Sequence, residues 1–221
     1  ERNQSLHVPE RIFLHLVESK KDDAPFAFIA TYASRQSDGS VQHMPLQYAL
    51  TEYRDDREKL LTLLSSLNRA AEVSPLIAEL MESGEMFHTL KFTVDDAYSF
   101  LKDIEKIEET GILCRIPNWW RKKNSMLSVN VKLGEEKPSM VGFDALVSLQ
   151  PSLEVDGVRL TQSEIEQLLR QTEGLAFLKG KWIEVNHEKL RKLLEEMEDI
   201  PESLSFRDAV QLEMGNDKIL P

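Results

Sequence analysis

The sequence predicts an α+β protein in which short antiparallel strands and hairpins pack with several amphipathic helices. Three observations lead there. Leu127, Val129 and Val131 alternate with Ser128, Asn130 and Lys132, the period of a half-buried strand. Leu60, Leu63, Leu64, Leu67 and Ala71 recur instead at helical spacing. The two kinds of signal interleave along the chain, separated by turn residues such as Asp156-Gly157.

Composition narrows the class. At 221 residues the chain is long enough for one large domain or two small ones, each with its own core. We expect three segments: a strand pair and helical hairpin over 1–86, an α+β domain over 87–200, and a C-terminal helix and tail over 201–221. With 41% hydrophobic and 29% charged residues, the chain has the balance of a folded protein. The formal charge of −11 argues against a general nucleic-acid coat, which would be basic, while leaving room for a local basic patch. A lone cysteine, Cys114, cannot close an internal disulfide, so a reducing, cytoplasmic setting is expected. No apolar run approaches the roughly 20 residues that span a bilayer, so no membrane partner is expected. The polar N-terminus lacks the apolar stretch of a signal peptide. A first residue of Glu1 rather than methionine suits a fragment of a longer protein.

Taken in order, Ile12 to Val17 and Phe26 to Tyr32 read as an antiparallel pair across the polar turn at Lys20 to Asp23. Ser37 to Gly39 is a turn, and His43 to Leu46 leads out of it. A long helix follows from about Glu52, and Pro75, favoured at a first helical position, starts a second that ends at Ser83-Gly84. Thr89 to Phe92 is a short strand. Thr93 and Asp96 have capping-box spacing, and Ala97, Phe100, Leu101, Ile104 and Ile107 share one face of the helix they open. Gly111 stops that helix, because a residue without a Cβ tolerates the left-handed region. Ile112 to Ile116 is then a strand closed by Pro117, which cannot donate to a ladder.

Met126 to Leu133 is a further strand, and Met140 to Leu149 another apolar stretch. Asp156-Gly157 between two short runs favours a type I′ hairpin turn. Thr161 and Glu164 form a capping box for a helix bearing Ile165, Leu168 and Leu169. Ala176 to Leu178 and Trp182 to Val185 make a second hairpin, turning at Lys179 to Lys181. Asn186 caps a helix with Leu190, Leu193, Leu194 and Met197 inward, and the tail from Pro201 reads as a further helix to about Met214.

Catalytic motifs are hard to find. The nearest approach to a phosphate-binding loop, Gly174 to Trp182, is one residue too long, is apolar, and puts tryptophan where a hydroxyl is needed. It reads better as a hairpin. His7, His15, His43, His88 and His187 are scattered, without metal-ligand spacing. Cys114 reads as a small core residue on a strand. The acids Glu195, Glu196, Glu198 and Asp199 suit a solvated helix face.

One stretch stands out. Arg115, Arg121, Lys122, Lys123 and Lys132 lie in a run without acids, with Trp119 and Trp120 among them. Cations pair with phosphates and an exposed indole can stack on a base, so Trp119, Trp120, Arg121, Lys122 and Lys123 are the candidate contact with nucleic acid or an acidic partner. The competing reading makes the tryptophans core anchors and the lysines solubilising groups.

The same stretch carries a family resemblance. Phe87 to Thr93 (FHTLKFT), Asp96 to Asp103 (DAYSFLKD), Glu109 to Trp120 (ETGILCRIPNWW) and Leu175 to Asn186 (LAFLKGKWIEVN) resemble the helicase-associated region of bacterial Swi/Snf-family ATPases. Gly142 to Leu146 (GFDAL), the Asp156-Gly157 hairpin and the Leu160-Thr161 helix start fall in matching order, and the likeness runs from about Pro45 to Glu198. It implies an accessory segment that lies N-terminal to a two-lobed, DNA-stimulated ATPase motor. The implied partners are the ATPase lobes of the same parent chain and, through them or directly, duplex DNA. ATP and magnesium would belong to those lobes; this segment would carry no cofactor and no catalytic residue. The alternative is a self-standing hydrolase-like or nuclease-like domain with an unrecognised acidic or histidine site, which would show as convergent side chains.

Overall fold

A computed structural model describes residues 11–20, 23–122, 127–134, 146–205, 207, 208 and 211. The fold is α+β, with eight α-helices and eleven strands among the described residues. The chain forms two compact units, Glu1–Arg121 and Lys122–Pro221.

In the first unit, β1 (Ile12–Glu18) and β2 (Phe26–Arg35) pair antiparallel, Ile12 opposite Tyr32 and Glu18 opposite Phe26. Even-numbered residues of both strands point the same way. Ile12, Leu14, Leu16, Phe26, Phe28 and Tyr32 are buried there, each such side chain contributing about 1.5–3 kcal/mol. Beyond the turn at Gly39 (φ +84°), β3 (Val41–Pro45) pairs with the far end of β2. A 3-10 turn (Leu46–Tyr48) and the short α1 (Ala49–Glu52) bring Glu52 back to accept hydrogen bonds from Tyr32 Oη and from Ser34 Oγ (2.7 Å).

Helix α2 (Arg57–Val73) starts on the Asp56 carboxylate, which accepts from the Lys59 amide. Buried Ser74 ends α2, its amide bonding Ala70 O (3.0 Å), and opens α3 (Pro75–Ser83), its hydroxyl facing the Ile77 amide. Gly84 stops α3 at φ +80°, and a 3-10 turn (Glu85–Phe87) leads to β4 (Leu90–Phe92), which pairs with the start of β2. The Thr93–Asp96 capping box opens α4 (Val94–Lys102). Phe28 stacks on Phe92 (4.6 Å) and meets Phe100 edge-on (5.2 Å), fixing α4 to the sheet. After α5 (Ile104–Glu109) and Gly111 (φ +96°), β5 (Leu113–Arg115) joins β1 in parallel. Pro117 precedes α6 (Asn118–Arg121).

The second unit holds the long antiparallel pair β6 (Leu127–Leu133) and β7 (Leu146–Val155). Asp156 (φ +52°) and Gly157 (φ +82°) both take the positive φ of a type I′ turn, returning β8 (Val158–Arg159) against β7. The Thr161–Glu164 capping box starts α7 (Gln162–Arg170). The hairpin of β9 (Gly174–Leu178) and β10 (Lys181–Val185) turns at Lys179-Gly180, and Asn186 caps α8 (His187–Glu198). Leu153, Val155, Ile165, Leu168, Ile183 and Leu190 form the centre of this core. Leu193, Leu194 and Met197 pack on it from α8.

Three differences from the sequence reading have physical causes. The helix expected through 94–110 breaks at Asp103 (φ −93°, ψ 2°), where α4 and α5 part. His43 to Pro45, read only as part of a lead-out to Leu46, are a strand together with Val41 and Gln42, because β2 offers them a free edge. The helix expected from Pro201 is displaced by β11 (Ser203–Ser205), which pairs with β7; Arg207, Asp208 and Gln211 are helical beyond it, after Ser205 Oγ takes up the Asp208 amide (3.2 Å). β4 and β5 complete the sheet begun by β1 and β2, within the compact unit that ends at Arg121. Met126 and most of the apolar stretch from Met140 lie outside the described residues.

Glu164 accepts from Lys179 Nζ (2.9 Å) and from the Thr161 amide (3.1 Å), and these contacts, Lys179 first, hold its carboxyl down to about 2. A carboxyl lowered by folding stabilises above its unfolded value and loses that contribution as pH falls toward the folded one. Replacing Glu164 by Gln should therefore lower the melting temperature near pH 7, and the gap from the parent chain should close between pH 4.5 and 2 in thermal melts. A gap independent of pH would remove the charge of Glu164 from this account.

Candidate interaction surface

The end of β5 sets the position of the tryptophan pair. Pro117 halts the strand, its carbonyl accepts from the Trp120 amide (3.2 Å), and one helical turn sends the two indoles in different directions. Trp120 goes inward, 3% exposed, its ring edge-on to Tyr98 of α4 (6.3 Å). Trp119 is half-buried, 6.4 Å from Phe26, and its indole N–H donates to Glu18 at the end of β1. The rings meet edge to face at 6.2 Å. Trp120 thus anchors α6 to α4, and a buried indole offers no face for a base.

Arg121 turns back. Its Nη2 donates to Glu108 Oε1 (2.5 Å) and to the Cys114 carbonyl (3.1 Å), and the Glu108 bond raises the guanidinium pKa further. Lys122 is exposed; Lys123 lies outside the described residues. Arg115 leaves on the opposite side of β5, its guanidinium 5.3 Å from the Phe13 ring. Lys132 is exposed on β6 in the other unit. Within the first unit, Arg115 and Arg121 therefore have different partners, the Phe13 ring and Glu108.

Cys114, on β5 beside Leu14 of β1, is buried, and its thiol is pushed up to about 12, first by burial and then by the Glu108 charge, with Arg121 opposing. It is a core residue. Lys179 and Lys181, in the stretch nearest a phosphate loop, pair with Glu164 in the first turn of α7 and with Asp156 in the β7–β8 turn. Among the described residues no three His, Cys, Asp or Glu side chains gather as a metal site. The one deeply buried carboxylate there, Glu154 (4% exposed), accepts from Asn130 Nδ2 (3.1 Å) and Ser152 Oγ (3.2 Å).

Sequence reasoning missed a second surface, the side of the five-stranded sheet opposite the core. Odd-numbered residues of β1 and β2 point there. His43 of β3 meets the Phe13 ring edge-on (4.4 Å), Arg115 lies over the same ring, and His15 Nε2 is 2.8 Å from Thr31 Oγ1. Burial lowers the His15 pKa, and the charges of Arg115 and His43 lower it further. The available signal was the half-alternation of β1; what hid the surface was that its residues come from distant parts of the chain.

A family model described as "SNF2 Helicase protein" matches residues 85–214, more than half of the chain. Over 133 residues, 57% of the chain, the sequence is 26% identical to YwqA of Bacillus subtilis (strain 168), named as a candidate ATP-dependent helicase/translocase. The match covers 14% of that protein, so the chain spans about a seventh of the length of this curated relative. No solved structure matches. Among the described residues, no helix is long and apolar enough to cross a membrane.

Two outcomes follow from the burial of Cys114 and Trp120. The thiol should resist Ellman's reagent in the native protein and react fully, one per chain, in denaturant; fast native labelling would contradict its placement. Replacing Trp120 by Ala should cost about 3–5 kcal/mol in urea unfolding.

Proposed function

The chain belongs to the SNF2 helicase protein family, and from that premise we propose that it is a non-catalytic accessory segment of an ATP-driven, helicase-like motor. In this reading it docks on the ATPase lobes of its own parent chain and helps to set their position on duplex DNA. ATP and magnesium act in those lobes, and the segment works in the cytoplasm. The observation that carries the reading is the family match across 85–214, which joins most of the second unit to the end of the first.

Docking fits the geometry better than direct grip on DNA. Trp120 is enclosed, Arg121 is held by Glu108, and the whole chain carries −11. A phosphate reaching Arg121 would meet a guanidinium whose charge is already shared with a carboxylate 2.5 Å away. Direct contact with DNA would rest on half-buried Trp119 and on the two lysines that follow Arg121 in sequence, Lys122 and Lys123. The alternative of a hydrolase or nuclease domain would need convergent acids or imidazoles, whereas Glu154 spends its oxygens on neutral partners.

Deleting the segment from the parent protein should change the DNA-stimulated ATPase rate, and an unchanged rate would sink the accessory role. Neutralising Arg121, Lys122 and Lys123 together to Gln should leave the salt dependence of DNA binding unaltered if docking dominates. Three lost phosphate contacts would instead flatten the slope of log K against log salt by about 2–3. Purified alone, the chain should turn over neither nucleotides nor phosphodiesters.

A further inference from the structure

Among the described residues of the first unit, the helices pack on the even-numbered side of β1 and β2, and none of them packs on the odd-numbered side. A solvated sheet face is ordinarily polar. This one is not. Val17 (55% exposed), Val41 (49%) and Leu113 (39%) lie on it, with Phe13 and Ile29 half-buried between them.

The charges on the face are of one sign. Strand pairing puts Arg35 beside Val41, Lys91 beside Ala27 and Arg115 beside His15, so three exposed cations mark separate corners of the sheet. No Asp or Glu occupies the odd-numbered positions of β1 to β5, in a chain with 38 acids against 27 Lys and Arg. From Ala27 to Arg35 along β2 the face runs roughly 26 Å, and across the strands from Lys91 to Arg115 roughly 15 Å. Its area of about 400 Å² is half of what one partner gives to a standard interface. It is wide enough for one helix of about 10–12 Å diameter and long enough for roughly 17 residues of it.

We propose that this face is the docking site for an acidic amphipathic helix on the ATPase lobes of the parent chain, its apolar stripe seated on Phe13, Ile29 and Leu113 and its carboxylates reaching Arg35, Lys91 and Arg115. The inference rests on the accessory reading above and adds where, and to what, the segment docks. A helix seated there adds a third layer to the sheet. Nucleic acid fits less well, because Val17, Val41 and Leu113 offer a phosphodiester chain nothing to bond or stack on.

The test titrates the 221-residue chain with separately produced ATPase lobes of the parent protein, and independently with a duplex oligonucleotide. Arg115→Glu/Lys91→Glu should weaken association with the lobes by about tenfold or more, with a smaller salt dependence. Leu113→Ser should weaken it at constant salt dependence. All three side chains are exposed, so thermal melts of the variants should match the parent chain. Lobes that bind parent chain and variants alike would overturn this face while leaving the accessory role standing. No binding by the parent chain, together with an ATPase rate indifferent to deletion, would overturn both. Variants that lose duplex binding but keep the lobes would give the face to DNA instead. Self-association that the variants abolish would give it to a second copy of the chain.

Discussion

The pairing parity of β1 and β2 governs the first unit. Seven residues of each strand face one another, from Ile12 opposite Tyr32 to Glu18 opposite Phe26. A slip of one residue would turn Ile12, Leu14 and Leu16 outward and bring Phe13 and His15 under the helices. Every later element takes its place from that choice. β3 and β4 share the outer edge of β2 at opposite ends, β5 closes on β1, and α4 seats Phe100 against Phe28 because Phe28 points to that side. The same parity puts Phe13 on the other side, where Arg115 and His43 each lie against its ring.

Signals that act over three or four residues were legible. The capping boxes at Thr93 and Thr161, the Asn186 cap and the positive φ at Asp156-Gly157 all depend on local chemistry, and the structure has them as read. Longer-range pairings were hidden. Nothing in Leu113–Arg115 says that it lies parallel to Phe13–His15, about a hundred residues away, and nothing in Ser203–Ser205 says that β7 has an open edge. The break at Asp103 escaped notice because the apolar period runs across it, with Phe100, Ile104 and Ile107 all inward.

The basic aromatic stretch shows why closeness in sequence misleads about a surface. A single helical turn separates Trp119 from Trp120 in direction, and Arg121 folds back to Glu108. Arg115, four residues before Trp119, belongs to the far side of the sheet. The residues that carry the family likeness also pack: Trp120 lies edge-on to Tyr98, and Trp119 is 6.4 Å from Phe26.

Ser74 has a mechanical corollary. A single buried residue closes α2 and opens α3, so the corner has no slack link. Two rods joined without a spacer behave as one bent lever: a push on the far end of α3 reaches α2 as torque instead of being absorbed by a flexing strand of chain.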